Sequence, residues 1–174
     1  GAPEDDQREG GGVLMLSITI LAVGKLKESY WREATAEYIK RLSAFCKMEV
    51  VELPEYRLSD NPSPAEIARC IQKEGEEILA KVPRDGYFIP LCVEGKEIPS
   101  EALAERLRQL PVEGVSRLVF AIGGSYGLSD AVKARGQLRL SVSKMTFPHQ
   151  LFRVMLLEQI YRGFMIGAGN TYHK

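Results

Sequence analysis

From Ser17 onward the chain alternates short apolar runs with longer amphipathic stretches, and this alternation restricts the fold more than any other feature. Short runs rich in Ile, Leu and Val read as strands, and stretches with apolar residues every three or four positions read as helices. The expected strands are Ser17 to Val23, Met48 to Leu53, Tyr87 to Val93, Arg117 to Ile122 and Leu138 to Val142. The expected helices are Ser29 to Phe45, Ala65 to Lys81, Ser100 to Leu110, Ser129 to Ala134 and Gln150 to Ile166. Trp31, Ala34, Tyr38 and Leu42 mark the helical period in the first of these, and Ser63 with Glu66 three residues on forms a capping box for the second. Strands that alternate with helices predict an α/β fold, a mainly parallel sheet with helices on both faces.

At 174 residues and 45% hydrophobic, the chain suffices for one domain with a real core. Residues 1–16 are set apart as an N-terminal extension, flexible or added to the natural chain. Their first stretch is polar and glycine-rich without periodicity, and Met15 is the expected natural start. Residues 17–174 are then a single domain. The 23 basic and 23 acidic side chains give a net charge of +0, so no global field draws the chain to nucleic acid. Any RNA contact must use a local patch or two subunits together.

Cys46, Cys70 and Cys92 are odd in number and widely spaced, which fits reduced thiols and neither a disulfide framework nor a metal site. No apolar stretch reaches the ~18 residues of a membrane span, and no basic-then-apolar leader opens the chain. The expectation is a cytoplasmic protein with no metal and no membrane partner.

Two loops follow successive expected strands near the C-terminus: Gly123-Gly124-Ser125-Tyr126-Gly127, and the polar run Ser143 to Gln150. In α/β proteins strand ends of this kind bind ligands, and the turn after Leu91 adds a third candidate end to the same crevice. The glycine loop has neither the spacing of a dinucleotide fingerprint nor the Lys-Ser/Thr of a phosphate loop. It fits a tight turn as well as a close backbone approach to a ligand. Phe147-Pro148 suits a strand-to-helix corner, and His149 there fits a surface or capping group as well as a catalytic one. His149 and Arg153 lie four residues apart on one helical face, while Arg153, Glu158 and Arg162 also fit an exposed charge ladder.

Several separated segments together resemble one family. They are Ile18 to Lys25, Lys73-Glu74-Gly75-Glu76, Ile122 to Ser129, Ser143 to Val154, Glu158 to Arg162 and the terminal Tyr172-His173-Lys174. From Ser17 to Lys174 the chain resembles the bacterial ribosomal RNA large subunit methyltransferase H (YbeA-type) group, within the SPOUT class of knotted methyltransferases. The resemblance implies an S-adenosyl-L-methionine-dependent enzyme that methylates N3 of a pseudouridine in the 23S rRNA of the assembled ribosome. It also implies a homodimer and a C-terminal trefoil knot. By position, Leu91, Gly123 and the run Val142, Ser143, Lys144, Met145, Thr146 and Phe147 match the family's cofactor-contacting segments. The bulky Tyr126 departs from the family at a variable loop position.

Methyl transfer to a ring N–H requires alignment and removal of a weakly acidic proton, for which histidine is the natural base. His149 and His173 are the chain's two histidines. Arg153 is the expected stabiliser of an anionic ring, and Tyr172 the group that stacks on or hydrogen-bonds to the base. The last helix spreads Leu151, Val154, Met155, Leu157, Ile160, Tyr161, Phe164 and Met165 around much of its circumference, as a helix with a second subunit to meet would. Lys25, Lys27, Arg32, Lys144, Arg153 and Lys174 are candidates for a local RNA patch. A SPOUT-type tRNA methyltransferase and a non-catalytic ribosome-binding module are the rival readings.

Overall fold

The computed structural model describes residues 15–174. Four strands, β1 (Ser17–Val23), β2 (Lys47–Leu53), β3 (Tyr87–Lys96) and β4 (Arg117–Ile122), form the sheet. Five helices accompany them: α1 (Ser29–Leu42), α2 (Pro64–Ala80), α3 (Ser100–Val112), α4 (Asp130–Arg135) and α5 (His149–Gly167). The order is β2-β1-β4-β3 and every pairing is parallel, with Ile20 of β1 opposite Val50 on one side and Phe120 on the other.

Period-two alternation in β1 and β4 divides the core in two. Ile18, Ile20 and Ala22 with Leu118, Phe120 and Ile122 face Leu42 of α1, Leu107 of α3 and Leu156 and Ile160 of α5. Leu21, Val23, Val119 and Ala121 point the other way, onto Ile78 of α2 and Val132 of α4. Helices therefore cover both faces. The Ser63 and Glu66 capping box starts α2 as its sequence requires. Gly163 lets α5 approach α3 closely, since a Cβ there would lie 2.7 Å from a methyl of Leu107.

The expected fifth strand, Leu138 to Val142, is not a strand. Leu140 alone bridges to Leu91 and Lys96. The reason lies in Gln137: its backbone N–H donates to the Phe88 carbonyl at 2.9 Å, but the Phe88 N–H is taken at 2.7 Å by the Gln137 side chain, whose amide also donates to the Gly86 carbonyl, so only half of the pairing is backbone to backbone. Beyond it, the Lys96 N–H donates to Arg139 O and the Ser141 N–H to Lys96 O. The segment thus follows the free edge of β3 without forming a ladder. Gly95 permits the contact, because a Cβ there would sit 2.8–2.9 Å from the backbone of Arg139 and Leu140. At the other end, Leu16 is 3% exposed and packs in the core, so the domain begins before Ser17. Residues 1–14 of the expected extension lie outside the described residues.

Candidate active site

The C-terminal ends of β3 and β4 meet three loops to form a cavity of about 390 Å³. Ile122 and the Gly123 to Gly127 loop make one wall, Leu91 to Glu94 a second, and Val142, Ser143 and Thr146 to His149 a third. The sequence expectations Leu91, Gly123, Val142, Ser143, Thr146, Phe147 and His149 all fall on these walls. Lys144 and Met145 do not. They occupy the tip of a turn held by hydroxyls: Ser141 Oγ donates to Ser143 O at 3.1 Å, and Ser143 Oγ accepts from the Met145 N–H at 2.9 Å. The Met145 side chain is 72% exposed.

Gly123 has a local reason to be glycine. A Cβ there would lie 2.8 Å from the backbone carbon of Gly127, and Gly127 itself has φ +82°, so the loop folds on itself before any ligand is considered. Phe152, from the first turn of α5, closes the floor and meets the Phe147 ring edge-on.

His149 begins α5 against this cavity, half-buried. Burial pushes its pKa below the ordinary imidazole value; the Glu55 carboxylate works against that shift and Arg153 reinforces it. The imidazole is therefore neutral, and able to accept a proton, at neutral pH. Arg153 is placed differently from the sequence reading. Its guanidinium is buried under β1 and β2, donating to Glu52 Oε2 at 2.6 Å and to the Gly24 carbonyl at 2.7 Å. The helical spacing puts both residues on one face of α5, but the face turns into the protein within a single turn. The same burial removes Arg153 from the proposed RNA patch, whereas Lys25, Lys27, Arg32, Lys144 and Lys174 are exposed.

Tyr172 and His173 do not reach the cavity of their own chain. The tail folds back on α5: Tyr172 Oη donates to Glu158 Oε1 at 3.2 Å, and the Arg162 guanidinium lies 4.8 Å over its ring. His173 Nδ1 sits 3.1 Å from Arg162 Nη1, which can only donate, so Nε2 carries the ring proton and donates to Glu101 Oε1 at 2.8 Å. Burial, followed by the Glu158 charge, raises the Tyr172 pKa.

The sequence reading gave no role to several groups around the site, although Glu74 stands in the Lys73 to Glu76 segment that carries the resemblance. Lys133 of α4 pairs with Glu94 at the cavity rim, which holds the Glu94 carboxyl below its usual range. Glu74 lies behind the glycine loop and is 3% exposed. Its signal was available: it sits between Cys70 and Ile78, four residues to either side, on the buried stripe of α2. Glu52, the partner of Arg153, carried no such mark. Among the described residues no group of three or more His, Cys, Asp or Glu is placed to hold a metal ion, and no helix is long and apolar enough to cross a membrane.

An all-parallel sheet with a glycine-walled cavity at its C-terminal edge defines an α/β domain built to bind a small ligand. A family model described as predicted SPOUT methyltransferase matches residues 16–173, and the chain belongs to that family. Among solved structures, it is similar to a probable methylase family protein from Haemophilus influenzae Rd KW20, at 12% identity and a TM-score of 0.51, over 91% of this chain and 71% of that one. It is also similar to a probable methyltransferase from Bordetella pertussis Tohama I, at 13% identity and a TM-score of 0.50, over 85% of this chain and 96% of that one. At such identities the likeness is one of fold.

Proposed function

We propose that the chain is an S-adenosyl-L-methionine-dependent methyltransferase acting on N3 of a pseudouridine in the 23S rRNA of the assembled ribosome. The observation that carries this reading is the half-buried His149 on the wall of a glycine-lined cavity at the sheet's C-terminal edge. The cavity fits the cofactor. Its volume of about 390 Å³ lies in the range of small-ligand sites, its apolar walls suit an adenine ring, and the loop backbone of 123–127, 142–143 and 146–147 supplies polar groups. When bound, the cofactor supplies an electrophilic methyl on a sulfonium.

The protein's part is alignment and proton removal. The loops hold the donor, and His149 accepts the N3 proton as the nitrogen forms its bond to carbon. Phe147 and Phe152 exclude water from beneath. Arg153 takes part by anchoring the first turn of α5 to Glu52 and Gly24, which fixes His149.

The reading extends to a homodimer, in the cytoplasm, with Tyr172 and His173 serving the substrate site of the other subunit. An α-helix rises 1.5 Å per residue, so the far end of α5 lies about 27 Å from His149. An antiparallel partner helix would bring a second tail to the His149 end. The reading also includes the trefoil knot, supported by the path of 137–141 along β3 before the chain returns as α5 between α1 and α3.

The test measures methyl incorporation from labelled cofactor into whole ribosomes, isolated large subunits, purified rRNA and tRNA. Incorporation into whole ribosomes, mapped to a pseudouridine by mass spectrometry, is the expected result. Transfer to tRNA alone would replace the substrate, and cofactor binding without transfer to any RNA would leave a binding module.

A further inference from the structure

Glu74 is a buried carboxylate with no cation beside it. It is 3% exposed on α2, and among the described residues no Lys or Arg pairs with it. Lys73 turns instead to the Tyr56 ring, and the charge that acts on Glu74 is that of Glu55, another carboxylate. The nearby Cys70 thiol donates to the Tyr56 carbonyl at 3.2 Å, Glu77 is taken up by the Tyr56 hydroxyl, and Glu74 Oε2 accepts the Tyr56 N–H at 3.1 Å.

Its Oε1 lies behind Gly124 of the cavity wall, and Glu74 itself does not line the cavity. A Cβ on Gly124 would lie 3.2 Å from Glu74 Oε1, so the absence of a side chain there keeps the wall between carboxylate and cavity thin. Burying an unpaired charge is costly and calls for a counter-charge.

We propose that Glu74 is the counter-charge of the cofactor's sulfonium, making the cavity prefer S-adenosylmethionine over the uncharged thioether product. The inference rests on the reading of this cavity as the cofactor site. Through the thin, glycine-only wall the carboxylate attracts the sulfonium in a medium less polarisable than water. Once the methyl has gone to the substrate nitrogen, the sulfur keeps the bonding pair and is neutral. The attraction then ends and product release is favoured. Glu94, the carboxylate that lines the cavity, is already neutralised by Lys133 and supplies no such preference.

The test is isothermal titration of S-adenosylmethionine and S-adenosylhomocysteine into wild type, Glu74→Gln and Thr146→Trp. Gln preserves the shape and the acceptor for the Tyr56 N–H. Glu74→Gln should weaken S-adenosylmethionine about tenfold while leaving S-adenosylhomocysteine within about twofold. Equal weakening of both ligands, or no change in either, would overturn the proposal, since a merely structural role cannot tell the two apart. Thr146→Trp fills the cavity mouth and should abolish both; unaltered binding there would instead overturn the cavity assignment.

Burial raises the Glu74 pKa, so its charged form costs the fold stability as pH climbs through the folded value, and the Gln variant should melt no lower than wild type at neutral pH. Should Glu74→Gln nevertheless fail to fold, the ligand ratio is followed against pH in His149→Gln, which removes the cavity's histidine. Preference for the sulfonium must grow as pH rises; a flat ratio would sink the idea.

Discussion

At the scale of single residues, His149 and Arg153 share a helical face but sit in different surroundings. Because burial lowers the His149 pKa, its basic form persists to lower pH than that of a free imidazole. The plot of log kcat/KM against pH should therefore be flat through neutrality and fall only below about 6.5, as protonation removes the base. His149→Ala should lose that inflection and about 10²-fold or more in kcat, with cofactor affinity nearly intact. An inflection above the ordinary imidazole value, or a variant within threefold of wild type, would remove His149 from the mechanism. Arg153→Ala should behave otherwise. It strands the buried Gly24 carbonyl, at a cost of about 1–3 kcal/mol, so its loss of activity should come with a lowered Tm. Full activity loss at unchanged Tm would return Arg153 to a direct role at the substrate. The position of Arg153 was legible from the spacing; the direction of its guanidinium was not, because the pairing joins positions 101 apart in sequence.

Among the elements, the strands and helices that carry a clear period were all legible, and the one that failed explains why. Leu138 to Val142 has strand composition, yet Gln137 makes half of its pairing with β3 through its side chain, a choice local patterning does not encode. What replaces the strand is a close backbone contact at Gly95, and this contact feeds directly into the Val142 to Phe147 wall of the cavity. Gly95→Ala should push Arg139 and Leu140 outward by a few tenths of an ångström or more, since a Cβ at 2.8 Å from backbone carbon must displace something. The expected outcome is cofactor affinity reduced several-fold with a Tm loss of only a few degrees, read by titration calorimetry and thermal melting. Affinity equal to wild type would show that the cavity wall is set independently of the β3 edge. The cavity itself was foreseeable from loops placed after strands, whereas Lys133 and Glu74 came from α4 and α2, which cross to the site only in the folded chain.

For the whole molecule the central question is what completes the cavity. Within one chain Tyr172 returns along α5 only as far as Glu158, still about 13 Å short of His149 by helical rise. The tail is therefore out of reach of its own site. The face of α5 carrying Val154, Met155 and Glu158 lines, with Tyr38 and Ile98, a second groove of about 480 Å³, and a partner helix seated there would be related to α5 by a two-fold axis. With that axis perpendicular to α5 the two helices run antiparallel, and each tail then approaches the other subunit's His149. The prediction is complementation between two inactive chains. One carries His149→Ala with its tail intact; the other lacks Tyr172 to Lys174 but keeps His149. Mixed after unfolding together and refolding, half of the dimers are heterodimers by random pairing, and each heterodimer holds one cavity with His149 served by an intact tail. Activity should recover to about a quarter of wild type per dimer, while light scattering gives twice the chain mass. If each tail serves its own cavity, no heterodimer contains an intact site and the mixture stays inactive, which would refute the shared site even if the dimer itself were observed.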